Sequence, residues 1–441
     1  MHLVAMRHAR RGLRPLALAV SLALLAPAAA LAGGMALTTQ NGSQLGNGYS
    51  GAAAAEDAST VYFNPAGLAF LDQGGVVVSG QWVKFDTAFT NTGSTTAGVI
   101  PTPGRNSGDA GEDRLVPTAY MAYPFSKSFA IGAGVSAPYG LATEYPSDWV
   151  GRYQALKSEL VTINATIAAS IRLTPQLALG LGLDHQTADA ELSNALDLGL
   201  AGYVAGVPGF APGSADAVVR IKGDDARTGF NIGVLYEITD GTRVGLHYRS
   251  RMEHEPRGDA RFTDVAAPFA GVFTDQAVSA PLALPEVYSL SFMHHVAPDL
   301  ALFADWSVWA WSCFDQLAVD FENPATPDFV QIHDWKNASI YSLGARWQKS
   351  ERLTLRGGLV YNETPVPNES RRTARIPDSD RTWVCLGAAW QFNAEIRGEI
   401  GYAHLFFKDA TMANDDGAGH LLVGRVESSA DILSMQVNWN Y

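Results

Sequence analysis

The sequence predicts an all-β protein: a 14-stranded antiparallel transmembrane β-barrel with an N-terminal hatch, or plug, in its lumen. Three observations carry this. Period-two segments recur from residue 76 to the C-terminus, and the connections between them alternate strictly between short and long. Only 17% of the 441 residues are charged, while 43 are glycine and 10% are aromatic. That composition suits glycine-kinked strands with aromatic girdles.

Residues 1–32 read as a secretory signal peptide. Arg7, Arg10, Arg11 and Arg14 precede the apolar run Leu16 to Ala26, and Ala30-Leu31-Ala32 offers a small-x-small cleavage site, giving a mature N-terminus at Gly33. The alternative, a membrane anchor over 15–32, is short of the roughly 20 apolar residues a spanning helix needs, and Pro27 interrupts it. Removing this segment takes away four arginines and no acids, moving the formal charge from −13 to −17. An acidic chain does not suit nucleic acid, which selects basic faces.

Residues 33–75 form the predicted hatch. The stretch shows neither strand alternation nor a sustained helical stripe. Its Gly, Ala and Ser let backbone pack on backbone, and Asn64-Pro65 fixes a turn ahead of Ala66. Such a segment has to be held by something around it.

Residues 76–441 form the predicted barrel, with strands at 76–91, 115–123, 129–137, 160–172, 176–189, 226–238, 242–255, 285–296, 299–311, 338–348, 352–362, 381–392, 395–407 and 430–441. In Thr228 to Ile238 the even positions Phe230, Ile232, Val234, Tyr236 and Ile238 are apolar, and most odd ones are small or polar. A strand of this kind faces lipid on one side and a polar interior on the other. The last strand ends in aromatic Tyr441, resembling the insertion signal of outer-membrane barrels. Six short turns and seven long loops fit a transmembrane barrel better than a soluble sandwich or propeller, and no blade-length repeat is present.

Three motifs carry a resemblance. Gln44 to Leu71 (QLGNGYSGAAAAEDASTVYFNPAGLAFL), Ser136 to Tyr153 (SAPYGLATEYPSDWVGRY) and Val366 to Trp383 (VPNESRRTARIPDSDRTW) stand far apart and in order. Together they resemble the FadL family of outer-membrane transporters of long-chain fatty acids and other hydrophobic compounds. The resemblance implies an outer-membrane barrel of fourteen strands, plugged by the hatch motif Asn64-Pro65-Ala66. It also implies an apolar groove between two extracellular loops, with the stretch Leu192 to Phe210 packed on Pro138 to Tyr153. Within it Leu192, Leu196, Leu200, Tyr203 and Val207, spaced four, four, three and four, would form one apolar stripe on a helix, with Phe210 beyond. A lid in which the loops merely pack on one another is the other reading. The family runs its N-terminal residues into the lumen, which places Met35 and Leu37 beside an acyl chain. Members often carry an aromatic residue where this chain has Met35.

A fatty acid needs an anchor for its carboxylate, and arginine's planar, permanently charged fork supplies one. Arg152 and Arg381 are the nominees. For Arg152 the competing reading is an ion pair with Asp148 or Glu144; for Arg381 it is a tie through Asp378 or Asp380. No energy-coupling motif is evident, which predicts passive diffusion. The resemblance further implies hatch-gated lateral release at an inward-bent strand next to the hatch; Gly132, Gly134 or Pro138 would supply such a bend, and the sequence leaves open which strand carries it.

Enzymatic readings are weak, because no Gly-x-Ser-x-Gly elbow, His-Glu-x-x-His or nucleotide loop is present. No cofactor or metal is expected. His294 and His295, adjacent on a strand, point to opposite faces, and Cys313 and Cys385 make no disulfide framework. The expected partners are a long-chain fatty acid or similar hydrophobic molecule, outer-membrane lipid and lipopolysaccharide, with the barrel a monomer. An aromatic-hydrocarbon channel and a non-transporting surface receptor or adhesin are the alternatives.

Overall fold

A computed structural model describes residues 34–441; the signal peptide and its cleavage site lie outside them. Fourteen strands form the barrel: β1 Gly75–Asn91, β2 Arg114–Pro124, β3 Phe129–Ser136, β4 Lys157–Arg172, β5 Leu177–Asp197, β6 Asp216–Thr239, β7 Thr242–Arg249, β8 Val287–Ala297, β9 Leu300–Trp309, β10 Ala338–Gln348, β11 Leu353–Asn362, β12 Arg381–Gln391, β13 Ile396–Phe407 and β14 His420–Asn440. Each pairs antiparallel with its sequence neighbour, and β1 pairs with β14 from Gly75↔Asn440 to Asn91↔Gly424. The sheet is therefore closed, and the start of β1 and the end of β14 meet at its short-turn rim, where Tyr441 N donates to Gly74 O at 2.9 Å.

The alternation read from the sequence becomes an outside and an inside. On β5, Leu179, Leu181 and Leu183 project outward, while Ala178 and Asp184 are buried inward. On β14 the outward set is Leu433, Met435 and Val437. This outward apolar band is what lipid covers in a transmembrane barrel. No helix among the described residues is long and apolar enough to cross a membrane.

Three strands run longer than the alternation predicts. The β5–β6 ladder continues to Asp197↔Asp216, and β14 begins at His420. Above the apolar band these strands carry charge on their outer faces, where Glu191 meets Arg220 and Lys222. Backbone pairing alone keeps such segments extended, and the alternation signal that marks a lipid-facing strand fades there. Conversely, β7 ends at Arg249, short of the expected residue 255. Five of the long loops contain short strands of their own, among them Arg257–Thr263 and Gln316–Phe321.

The hatch fills the barrel with short helices: α1 Gly42–Gly46, α2 Thr60–Phe63, and 3-10 turns at Ala52–Ala54 and Pro65–Phe70. Asn41 caps α1 by accepting from Gln44 N at 2.9 Å. Wall glycines let its backbone come close: a Cβ built on Gly180 would collide with Ala66 N, and one on Gly358 with Asn47 C and Gly48 N. A buried ion network ties the hatch to β10, β11 and β13. Glu56 meets Arg346 at 2.6 Å and Arg356 at 2.7 Å, and Glu399 meets Arg397 at 2.7 Å and Arg356 at 3.3 Å.

Candidate functional site: an apolar lumen beside a broken strand

The lumen above the hatch is lined by aromatic rings. Trp309 and Trp311, two residues apart, face inward together, whereas Trp306 faces out. Tyr139 sets its edge against both, at 5.9 and 6.0 Å between centroids. Trp335 meets Trp311 at 5.0 Å and Phe314 at 4.8 Å. Met35 and Leu37 pack into this cluster, Leu37 with no exposed surface.

The wall beside them is interrupted. β3 pairs with β2 only from Pro124↔Ala130 to Ala119↔Val135. On its other side β3 loses β4 after Ser136↔Asn164, and pairing resumes at Gly140↔Val161. Three residues, Ala137 to Tyr139, stand against two on β4, a bulge centred on Pro138, which has no N–H to give a ladder. Gly132 and Gly134 lie within the regular ladder, so Pro138 marks the break among the three residues the sequence left open.

The N-terminal strand closes the gap. Leu37 N donates to Pro138 O at 2.7 Å, and Gly140 N donates to Met35 O at 2.9 Å. Gln40 spans the two sides. Its Nε2 donates to Ala137 O at 2.8 Å and its Oε1 accepts from Ala137 N at 3.2 Å, while Thr118 Oγ1 on β2 donates to Gln40 O at 2.7 Å. Residues 35–40 thus form a strap across this unpaired seam.

Arg381 and Arg152 differ sharply. Arg152 has no free hand: Nε donates to Asp216 at 2.8 Å, Nη1 to Pro103 O at 2.6 Å and Nη2 to Tyr153 Oη at 2.6 Å. Its ion-pair partner is Asp216 rather than Asp148, which pairs with Arg105, or Glu144. Arg381 is 1% exposed and spends Nη2 on Asp378 at 2.6 Å, the carboxylate foreseen for its loop tie, yet Nε and Nη1 have no protein partner. Register puts Asn362 directly opposite on β11, with Trp383 two residues along on the same face. The Asn362 amide and the Trp383 indole N–H are also unpartnered. Four donors without acceptors therefore gather on one buried stretch of wall beside the luminal cluster. The Asp378 carboxylate also accepts from Gly34 N at 3.0 Å, tying the strap to this loop.

The loop residues are not one helical stripe. Leu192 and Leu196 lie on β5, held by pairing to Ile221 and Ala217, and join a cluster with Val278 and Phe321 of the β7–β8 and β9–β10 loops, while between them Ala195 N donates to Arg152 O at 2.9 Å. The helix α3 covers only Leu198–Val204; Asp197 starts it by accepting from Leu200 N at 2.7 Å. Residues four apart share a face in a strand as well as in a helix, which is why the spacing did not separate the two. Leu200 is buried, whereas Tyr203 and Val204 are 62% and 78% exposed. Val207 and Phe210 are half-buried, and Phe210 stands edge-on to Phe269 of the β7–β8 loop at 5.6 Å. An apolar rim thus joins two extracellular loops.

In the hatch motif, Asn64 Nδ2 donates to Val234 O and Leu246 O, both at 3.2 Å, and its Oδ1 accepts from Ala66 N at 3.1 Å. Pro65 and Ala66 press against the wall at Gly180 and Gly233. The motif is a fastening between hatch and barrel. Sequence reasoning missed Gln40, Asn362 and the tryptophans; the density of Trp306, Trp309 and Trp311 was the signal available for the last.

The family model for outer membrane protein transport proteins (OMPP1/FadL/TodX) matches residues 23–441. This chain belongs to that family. Its relatives include a long-chain fatty acid transport protein of Escherichia coli, 27% identical over 96% of this chain and 97% of the relative, and a 47 kDa outer membrane protein of Pasteurella multocida, 29% identical over 96% and 97%. Among solved structures, a Pseudomonas aeruginosa FadL homologue matches with a TM-score of 0.86 at 24% identity, covering 92% of this chain and 99% of that one. The toluene transporter TodX of P. putida matches with a TM-score of 0.69 at 18% identity, covering 87% and 94%. These likenesses establish the shared fold. The chain is an outer-membrane β-barrel of a family that transports hydrophobic compounds.

Proposed function

We propose that this barrel carries long-chain fatty acids and similarly hydrophobic molecules inward by passive diffusion. Tyr203, Val207, Phe210 and Phe269 form the capture rim. The acyl chain rests against the luminal aromatic cluster beside Met35 and Leu37, and the carboxylate meets Arg381. The ligand leaves sideways between β2 and β3 when the strap lifts from Pro138. Burying about fifteen methylenes contributes on the order of 12 kcal/mol gross, at about 0.8 kcal/mol each, so apolar burial supplies the affinity. Release is then the harder step, and a strap held by a few hydrogen bonds at a broken seam is easier to displace than a hatch fastened by buried ion pairs.

The observation that carries the reading is the strap, whose Met35 and Leu37 line the lumen while its backbone and Gln40 seal the seam. The name of the Escherichia coli relative supports the fatty acid; TodX keeps an aromatic hydrocarbon as the second reading. The unpartnered donors of Arg381, Asn362 and Trp383 favour an oxygen-bearing head over a bare hydrocarbon, which offers them nothing. The test is binding of a fluorescent long-chain fatty acid to refolded protein in detergent, competed with oleate and with toluene. Competition by oleate, weakened about tenfold or more in Arg381→Ala as expected for a lost charge-assisted pair, is the expected result. Competition by toluene alone moves the assignment to aromatic hydrocarbons, and absence of saturable binding overturns it.

A further inference from the structure

The lateral seam is crossed a second time, above the strap. Residues 115–118 of β2 make no ladder with residues 137–142, and the open length runs from Ala119↔Val135 up to the isolated bridge Gly111↔Thr143. The strap fills its lower part through Gln40 and Pro138. Its upper part is spanned by a side chain: Arg114 Nη2 on β2 donates to Glu159 Oε1 on β4 at 3.2 Å.

The two residues start from opposite faces of the wall. Arg114 stands opposite Val83, which is buried, and Leu115 beside it is exposed, so alternation turns Arg114 inward. Glu159 lies between buried Ser158 and Leu160, so it turns outward. In an unbroken sheet, cross-strand contacts join side chains of one face. The guanidinium therefore passes through the wall, and it needs the open seam to do so. Its Nε is buried with no protein partner, as befits a group inside the wall. Nη1 donates to Glu112 Oε2 and to Asp113 O, both at 3.0 Å. Glu159 also meets Lys157 at 2.8 Å, but that pair lies along one strand and crosses nothing.

The Arg114 and Glu159 side chains are each 19% exposed, so water and salt screen the pair less than one on the open surface. Parting the two banks leaves Arg114 with Glu112 and Glu159 with Lys157. Below Glu159 the next outward positions of β4 are Val161 and Ile163. The pair thus stands at the upper edge of the apolar band, where the seam passes into the charged rim.

We propose that Arg114 and Glu159 form an outer bolt on the seam, distinct from the strap, with Arg114 the positioning residue whose release lets the banks part. This rests on the reading of lateral release between β2 and β3. Strap and bolt close the same exit in series, so weakening the bolt raises the open population by its own factor.

The test compares Arg114→Met, Glu159→Gln, the double variant and Lys157→Met in the full refolded barrel. One readout is delivery of a bound fluorescent long-chain fatty acid into liposomes. The other is hydrogen exchange of the Glu144 amide, which donates to Ala110 O across the top of the seam at 3.0 Å. Arg114→Met and Glu159→Gln are each expected to speed delivery and Glu144 exchange about threefold or more, as for a lost charge-assisted hydrogen bond. The double variant should add little to the larger single effect, because both substitutions remove one interaction. Lys157→Met severs no contact across the seam and should match wild type, and the Leu37 amide of the strap should keep its protection in all four. Delivery and Glu144 exchange both unmoved in Glu159→Gln would overturn the proposal. So would slower delivery of the fatty acid by Arg114→Met with a matching fluorescent fatty alcohol unaffected, since Arg114 would then be a head-group contact on the exit path. A wild type that binds the fatty acid but delivers none sinks lateral release instead, and Glu144 exchange in Glu159→Gln then decides the bolt by itself.

Discussion

Gln40→Ala tests whether the strap is a seal. The substitution removes the side-chain amide and leaves the backbone carbonyl that Thr118 and Tyr120 contact. It deletes the two bonds to Ala137 across the gap, at 2.8 and 3.2 Å, and one to Leu37 O at 2.9 Å. At about 0.5–1.5 kcal/mol net per bond, the two bridging bonds contribute about 1–3 kcal/mol to holding the strap against β3. The lifted state should then become about 5- to 150-fold more populated. Hydrogen exchange reads this directly, because the Leu37 and Gly140 amides bond across the strap–β3 contact and lose protection when it opens. A matching rise in the rate at which bound fluorescent fatty acid passes into liposomes is the functional readout. Exchange and release both within twofold of wild type would refute the assignment of residues 35–40 as the gate.

Other expectations follow from the same geometry. Arg356→Ala leaves Glu56 with Arg346 alone and Glu399 with Arg397 alone and should destabilise the seated hatch by about 1.5–3 kcal/mol, seen as new cleavage of residues 42–70 by protease from the short-turn side. Gly180→Val drives a side chain into Ala66, and the refolded protein should show an unseated hatch and a lowered melting temperature with the strands intact by circular dichroism. On the extracellular side His420 sits between Asp416 at 2.8 Å and Asp197 at 3.3 Å. Burial alone would push its imidazole down, but hydrogen bonds to the two carboxylates outweigh it and raise it to about 9. A raised value means that the pair's stabilisation is complete below about pH 6.5 and is lost as pH climbs through about 9. Proteolysis of the α3 loop should accordingly accelerate between pH 7 and pH 10, and His420→Gln should flatten that profile.

The sequence was most legible where lipid imposes a pattern. Strands such as 338–348 and β1 emerge at or within a residue of their predicted bounds because alternation persists across the apolar band. It was least legible where pairing continues without that constraint, as in the upper halves of β5, β6 and β14. Leu192 and Leu196 show why: a spacing of four fits either element, and only the partner strand decides. The sequence left open which strand is broken and offered Gly132, Gly134 and Pro138 as sources of a bend; the ladder itself places the interruption at Pro138. For the arginines, residue type marked both Arg152 and Arg381 as head-group contacts. Which of them has hydrogen-bond capacity to spare depends on Asp216, Pro103 and Tyr153, and no spacing rule brings those to Arg152. Gln40 carried no local signal, since its role exists only opposite a gap formed nearly a hundred residues away.

The central claim is that ligand leaves through the seam the strap covers, and a reversible tether tests it. Ala36 and Tyr139 are bridge partners flanked by the Leu37–Pro138 and Gly140–Met35 bonds. A non-hydrogen-bonded pair of this kind brings Cα atoms to about 4.5 Å, within disulfide reach. Ala36→Cys with Tyr139→Cys, in a Cys313→Ser, Cys385→Ser background, would be reconstituted in liposomes and its fatty-acid delivery to the bilayer followed before and after reduction. The account predicts that the oxidised protein binds the fluorescent fatty acid but does not deliver it, and that reductant restores delivery. Equal delivery by the oxidised and reduced forms would contradict lateral release at this seam.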